Sequence, residues 1–146
     1  MSERRFDDGS AGDVNYGVIG IDYAVYRQPD PRIAAQIERA LGDARTVLNV
    51  GAGAGSYEPR DRQVTAVEPS ATMRAQRPPD LSPAINAVAE DLPFPDNSFD
   101  AVMASSTVHQ WSDLAKGIAE MKRVSRGPVQ VTVADPVKLL DFWLMD

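Results

Sequence analysis

The sequence predicts an α/β domain built on a doubly wound, mostly parallel sheet with helices on both faces. Two observations carry that prediction. Five short apolar runs of strand length alternate with segments of helical punctuation or helical apolar spacing, and the first run stops at a glycine cluster. Crossovers between such strands are expected to be right-handed. The balance of 43% hydrophobic and 25% charged residues is that of an ordinary globular chain. A chain of 146 residues forms one domain and buries roughly 68–70% of its unfolded surface without covalent staples. Residues 1–15, rich in Gly, Ser, Asp and Arg, read as a mobile leader, and the domain as 16–146.

The elements follow in order. Asp30 before Pro31 is a helix cap followed by a proline at the first helical position; Ile33, Ile37 and Leu41 then recur at four-residue spacing until Gly42 closes the helix. Thr46 to Val50 is a β-branched run that stops at Gly51-Ala52-Gly53-Ala54-Gly55, a buried strand that enters a tight loop and hands the chain to a helix. Val64–Val67, Ala84–Val88, Ala101–Ala104 and Val129–Val133 are the other four strands. Ser70 to Arg77 starts on a capping serine and ends before Pro78-Pro79, which leaves room for about two helical turns. Leu114, Ile118 and Met121 form one apolar helical face that Gly127-Pro128 terminates.

Charge and composition narrow the chemistry. With no cysteine there is no disulfide framework and no thiolate metal site, and the single histidine, His109, rules out paired-His zinc sites, so no metal is expected. A net charge of −6 argues against a nucleic-acid surface. The N-terminus lacks an apolar signal region, and no apolar run approaches the roughly 18 residues of a membrane span. The expectation is a soluble cytoplasmic protein with neither nucleic acid nor membrane as partner.

The glycine loop places backbone where a ligand can approach closely, although a flexible turn accounts for such a loop equally well when it stands alone. Glu68 follows Gly51 by seventeen residues, at the end of the second strand, where a carboxylate can accept both ribose hydroxyls of an adenosine. The alternative for Glu68 is a solvated strand-end acid. Ser56 stands where a dinucleotide fingerprint needs its third glycine, and no lysine follows the loop to hold a triphosphate. A compact loop with a strand-end acid and no phosphate machinery suits an amino acid joined to adenosine.

The segments VLNVGAGAGSYEP, VTAVEPS, VAEDLPFPDNSFDAVMA and HQW, in that order and spacing, resemble class I S-adenosylmethionine-dependent methyltransferases of the small-molecule type. The resemblance runs from about Tyr16 to the end of the chain. It implies a Rossmann-like sheet, S-adenosyl-L-methionine as cofactor and S-adenosyl-L-homocysteine as product. It also implies that Gly51, Ala52, Gly53 and Gly55 line the methionine and ribose, that Glu68 holds the ribose hydroxyls, and that Pro69 and Ser70 flank the adenine. The Ala89-Glu90-Asp91-Leu92 turn is placed at the adenine edge, with Ser105 among the cofactor contacts. Tyr23 and Arg27 resemble the segment that covers the methionine carboxylate, where an Arg can pair bidentately. Asn49 stands where many relatives carry an acid but keeps a carbonyl acceptor for the cofactor's ammonium. Val88 replaces a frequent aspartate.

Methyl transfer from a sulfonium is an in-line displacement that needs alignment and exclusion of water rather than a covalent residue. His109, in the loop after the DAVMASS strand, is the candidate general base, and its alternative role is to orient that loop while Trp111 packs over the next helix. Tyr16, Tyr23 and Tyr26 offer aromatic faces to a sulfonium, or pack an N-terminal lid. The resembled family has seven strands, two of them beyond the run at 129–133, so the chain reads as shortened at its C-terminus. The apolar cluster Leu139, Leu140, Phe142, Trp143 and Leu144, with an unpaired fifth strand, predicts a homo-oligomer or another covering partner. The expected function is methylation of a small-molecule acceptor. The alternatives are a non-catalytic module that binds the same cofactor or its product and, disfavoured by Ser56, a nicotinamide-dependent oxidoreductase.

Overall fold

A computed structural model describes residues 30–105 and 107–132 of the chain. The expectations placed on the leader, on Tyr16, Tyr23, Tyr26 and Arg27, and on the apolar cluster at 139–144 lie outside the described residues.

Helix α1 spans Pro31–Leu41, as its punctuation predicts. The Asp30 side chain accepts from the Arg32 backbone N–H at 2.8 Å, satisfying one of the first-turn donors that a helix leaves without intrahelical partners. Gly42, at φ 58°, adopts the left-handed backbone that ends the helix, and its N–H returns to the Glu38 carbonyl. Strand β1 (Thr46–Val50) lies between β2 (Gln63–Val67) and β3 (Ala101–Ser105), and β4 (Val129–Thr132) adds beyond β3. All of these pairings are parallel, with Val47 opposite Val64 and Ala101. Helix α2 (Ala71–Ala75) follows β2 on its Ser70 cap, and α3 (Leu114–Val124) precedes β4.

Strand alternation sorts the core into two layers. Val47, Ala101 and Met103 pack with Ile37 and Leu41 of α1 on one face. Leu48, Val50, Val102 and Ala104 point the other way and pack with Met121 and Val124 of α3. Helices therefore cover both faces of a parallel sheet, and β1 and β3, buried on both sides, need the near-continuous apolar runs the sequence shows.

Two expectations require correction. The run 84–88 is not a strand: Ile85 makes a single parallel bridge to Val67, donating to the Ala66 carbonyl at 2.8 Å and accepting from the Glu68 N–H at 2.9 Å. The described sheet accordingly has four strands, not five. Pro83 cannot donate to a ladder, and the Ala89–Leu92 turn follows at once, so pairing has no room to extend. The glycine loop also does not open a helix. The twelve residues between β1 and β2 cross over as irregular chain, about the shortest length a parallel connection allows. Three glycines and Pro59 within that stretch disfavour helix.

The amino ends of β1 and β3 are tied by Asp100. Its Oδ2 accepts from the N–H groups of Arg45 and Thr46, both at 3.1 Å, and its Oδ1 accepts from Arg126 Nη2 at 2.8 Å. The Asp100 N–H in turn donates to Thr46 Oγ1 at 3.0 Å. The Arg126 guanidinium, helped by the two backbone donors, holds the Asp100 carboxyl far below the usual carboxylate range. Because the folded state binds that proton less readily than the unfolded chain, the resulting stability is complete above the unfolded value of about 3.9 and is lost as pH falls below it. Asp100→Asn should lower the melting temperature by a constant amount above about pH 5, and the gap to the native chain should close progressively in more acidic buffer. A gap that stays constant down to acid pH would show that the ionised carboxylate does not tie these strands.

Candidate cofactor site

From β1 the chain moves outward to β2, then returns past β1 to form β3 on its other side. The carboxyl ends of β1 and β3 therefore meet at a topological switch point, where open parallel sheets bind their ligands. Three segments converge on that end of the sheet: the glycine loop after β1, Glu68-Pro69-Ser70 after β2, and Thr107 after β3.

Gly51, Gly53 and Gly55 all have positive φ, at 65°, 55° and 89°. The constraint is severest at Gly51, where a Cβ would lie 2.3 Å from Thr107 Oγ1, so Thr107 rests directly on the loop backbone. The Ala52 N–H donates to the Val67 carbonyl at 3.0 Å, anchoring the loop to the end of β2.

Glu68 ties that loop to the next segment. Its Oε1 accepts from the Gly53 N–H at 2.9 Å and its Oε2 from the Ser70 N–H at 2.8 Å, with the residue only 8% exposed. Ser70 caps α2 by accepting from the Met73 N–H at 3.2 Å, and Arg74 Nη1 donates to the carbonyls of Glu68 at 2.8 Å and Pro69 at 2.9 Å. The strand-end acid is thus buried and oriented by backbone donors, not a solvated side chain.

The Ala89–Leu92 turn is held from α3. Ala89 and Leu92 are buried in the same cluster as Val50 and Val67. The Leu92 N–H donates to Glu120 Oε1 at 3.0 Å, and Arg123 donates to the carbonyls of Leu92 at 3.0 Å and Phe94 at 2.8 Å while pairing with Glu120. Arg123 lowers the Glu120 carboxyl below its usual range against the opposing effect of burial. Glu90 Oε2 accepts from Ser112 Oγ at 2.6 Å, and Asp91 is exposed. The side chains of Ala89 and Leu92 serve the core, which leaves this turn its backbone groups and the side chains of Glu90 and Asp91 outside it.

The other candidates separate. Asn49, near the end of β1, is buried, and Ser105 closes β3 with a buried hydroxyl that has no hydrogen-bond partner among the described residues. His109 falls in a 3-10 turn, Val108–Gln110, and its side chain lies outside the described positions. Trp111 packs over α3 as expected: a Cβ on Gly117 would come within 2.4 Å of its indole. The sequence reading missed Tyr57, Glu58, Arg77 and Arg123. Tyr57 accepts from the Asp30 N–H at 2.8 Å, linking the crossover to the start of α1. Glu58 accepts from Asn49 Nδ2 at 3.0 Å and from Arg77 Nη2 at 2.7 Å. The one available signal was a Tyr-Glu-Pro sequence in a segment too rich in glycine to be helical.

A parallel sheet with a glycine loop at its switch point and a buried acid ending the neighbouring strand defines a class of α/β proteins that bind an adenosine-containing cofactor. A methyltransferase-domain family model matches residues 48–128, more than half of the chain. The uncharacterized methyltransferase Rv3342 of Mycobacterium tuberculosis is 40% identical over 91 residues, which cover 57% of this chain and 36% of that protein. The uncharacterized methyltransferase YcgJ of Bacillus subtilis is 32% identical over 89 residues, covering 53% and 35%. Among solved structures, a protein of Anabaena variabilis assigned as a methyltransferase of an antibiotic biosynthesis pathway superposes with a TM-score of 0.66 at 32% identity, over 81% of this chain and 53% of that one. The chain belongs to the class I S-adenosylmethionine-dependent methyltransferases, and S-adenosylmethionine is the cofactor that membership implies. It spans about a third of the length of the curated relatives it matches.

Gly51→Ala should cost about 1–2 kcal/mol of unfolding free energy through the left-handed backbone alone, and more through the collision with Thr107, as read by urea denaturation. Adding Thr107→Ala should recover only the collision part. Full recovery in the double variant would mean that the backbone conformation of Gly51 is not constrained.

Proposed function

We propose that the chain binds S-adenosylmethionine at the carboxyl end of its sheet and serves methyl transfer to a small-molecule acceptor. The single observation that carries this reading is the Glu68 carboxylate, buried and held between the N–H groups of Gly53 and Ser70. A ribose presents two adjacent hydroxyl donors, and a fixed carboxylate at the end of the second strand is the group that accepts them.

The remaining residues fit the same cofactor. The glycine loop, with its positive φ values, stands at the switch point, where the methionine portion would lie against Gly51, Ala52, Gly53 and Gly55. Asn49 would offer its carbonyl oxygen to the cofactor's ammonium, and Ser105 stands at the same end of the neighbouring strand. Pro69 and Ser70 would flank the adenine, and the turn at 89–92, braced by Glu120 and Arg123, would meet its edge with backbone groups. Tyr23 and Arg27 are proposed to cover the methionine carboxylate.

The cofactor, when bound, supplies an electrophilic methyl on a sulfonium. The chain's own residues then have to orient the acceptor in line and keep water out, which is work for a rigid site. The Asp100 tie at the amino ends of β1 and β3 and the braces from α3 supply that rigidity. For an acceptor that must lose a proton, His109, at the carboxyl end of β3, is the proposed base. Acceptor recognition falls to the loops after β3 and β4 and to the segment before α1. No helix among the described residues is long and apolar enough to cross a membrane.

Calorimetric titration of S-adenosylmethionine and S-adenosylhomocysteine tests the site. Both should bind, and Glu68→Ala should weaken binding by roughly 1–3 kcal/mol, about 5- to 150-fold in Kd. Unchanged affinity in that variant would place the adenosine elsewhere. Formation of S-adenosylhomocysteine in the presence of an acceptor panel then tests transfer. Binding without turnover for any acceptor would favour a module that holds the cofactor without using it.

A further inference from the structure

A buried ion pair lies beside the site without belonging to the residues expected to touch the cofactor. The side chains of Glu58 and Arg77 are 1% and 3% exposed and meet at 2.7 Å. Two charges removed this far from water are costly, so they persist only where each is closely partnered. The partners are visible. Arg77 Nε and Nη2 donate to the Ser82 carbonyl at 3.1 and 2.8 Å, which fixes the guanidinium, and Nη2 also reaches Glu58 Oε2. Glu58 Oε1 then accepts from the side-chain amide of Asn49, itself buried on the central strand at the switch point. Arg77 also buttresses the loop, since a Cβ on Gly55 would lie 3.3 Å from its Nη1.

The chemistry of this chain of contacts is directional. A carboxylate can only accept, so it selects the nitrogen end of the Asn49 amide and leaves the oxygen end turned away from it. An asparagine without that partner is free to present either end. We propose that Glu58 and Arg77 are positioning residues for the cofactor: Arg77 holds the Glu58 carboxylate, and Glu58 orients the Asn49 amide so that its carbonyl oxygen faces the ammonium of bound S-adenosylmethionine. This rests on the site reading given above for the glycine loop and Glu68. The pair does what a crossover helix would otherwise do for the loop, and it adds a polarity that a helix would not supply. The selected orientation favours a positively charged group and disfavours a ligand that brings no donor to that point.

The test compares two ligands in calorimetric titration: S-adenosylhomocysteine, and its analogue with hydrogen in place of the α-amino group. In Glu58→Gln the new side chain accepts from Arg77 through its oxygen and turns its NH2 to Asn49, so the Asn49 amide is no longer held with its oxygen toward the ligand. Affinity for S-adenosylhomocysteine should fall about tenfold, while affinity for the desamino analogue should change by less than about threefold. The exchange Asn49→Asp with Glu58→Gln lets a glutamine donate to the new carboxylate and accept from Arg77, and it should restore S-adenosylhomocysteine binding to within about threefold of the native chain. Should Glu58→Gln alone fail to fold because Arg77 is left unpaired, Glu58→Gln with Arg77→Met removes both charges and should show the same selective loss. Equal loss for the two ligands, or no loss for either, would overturn the proposal and leave the pair a purely structural one. Failure of the underlying site reading looks different: Glu68→Ala would then leave both ligands unaffected.

Discussion

The hydrogen bonds that the Glu68 carboxylate accepts from Gly53 and Ser70 are the constraint on which the rest of this site depends. A glycine-rich loop has more backbone freedom to lose than any other stretch of its length, so it becomes a binding surface only if something holds it. Glu68 does so from the neighbouring strand and, through Ser70, joins the loop to the first turn of the next helix. Burial strengthens both bonds by removing competing water. In the proposed function the same carboxylate holds the adenosine ribose, so the group that orders the loop would also be the group that meets the ligand.

Order at one end of the sheet is matched by order at the other. Asp100 fixes the amino ends of β1 and β3 through two backbone donors and Arg126, which sets the relative height of the two strands whose carboxyl ends frame the site. Along the flank, Arg123 and Glu120 of α3 grip the backbone of the turn at Leu92. Each tie links an element to a loop distant in sequence. The short, helix-free crossover after β1 is the place where such ties matter most, and there Tyr57, Glu58 and Arg77 stand in for helical hydrogen bonds.

What could be read from the sequence is what depends on neighbours along the chain. Asp30, Pro31 and Gly42 punctuate α1 by their own backbone preferences, and β1 announces itself because a strand covered on both faces needs an unbroken apolar run. The place of Glu68 at the end of β2 was legible because topology fixes it one strand after the glycine loop, whereas its burial between two backbone donors was not. Ile85 was misread as part of a full strand because pairing depends on the partner's register and on Pro83, neither of which an apolar run reveals. The helix expected after Gly55 gave way to the low helix propensity of the very glycines that marked the loop. Glu58 and Arg77, nineteen residues apart, carry no local pattern and meet only once the crossover is folded.

The proposed function makes the loop locked by Glu68 the cofactor's seat. Backbone amide NMR during titration with S-adenosylhomocysteine tests it most directly. The amides of Gly53 and Ser70 should move most, together with their neighbours at 51–55 and 89–92, while Arg45 and Thr46, at the opposite end of the sheet, should stay in place. Saturation by the ligand with Gly53 and Ser70 unmoved would contradict it.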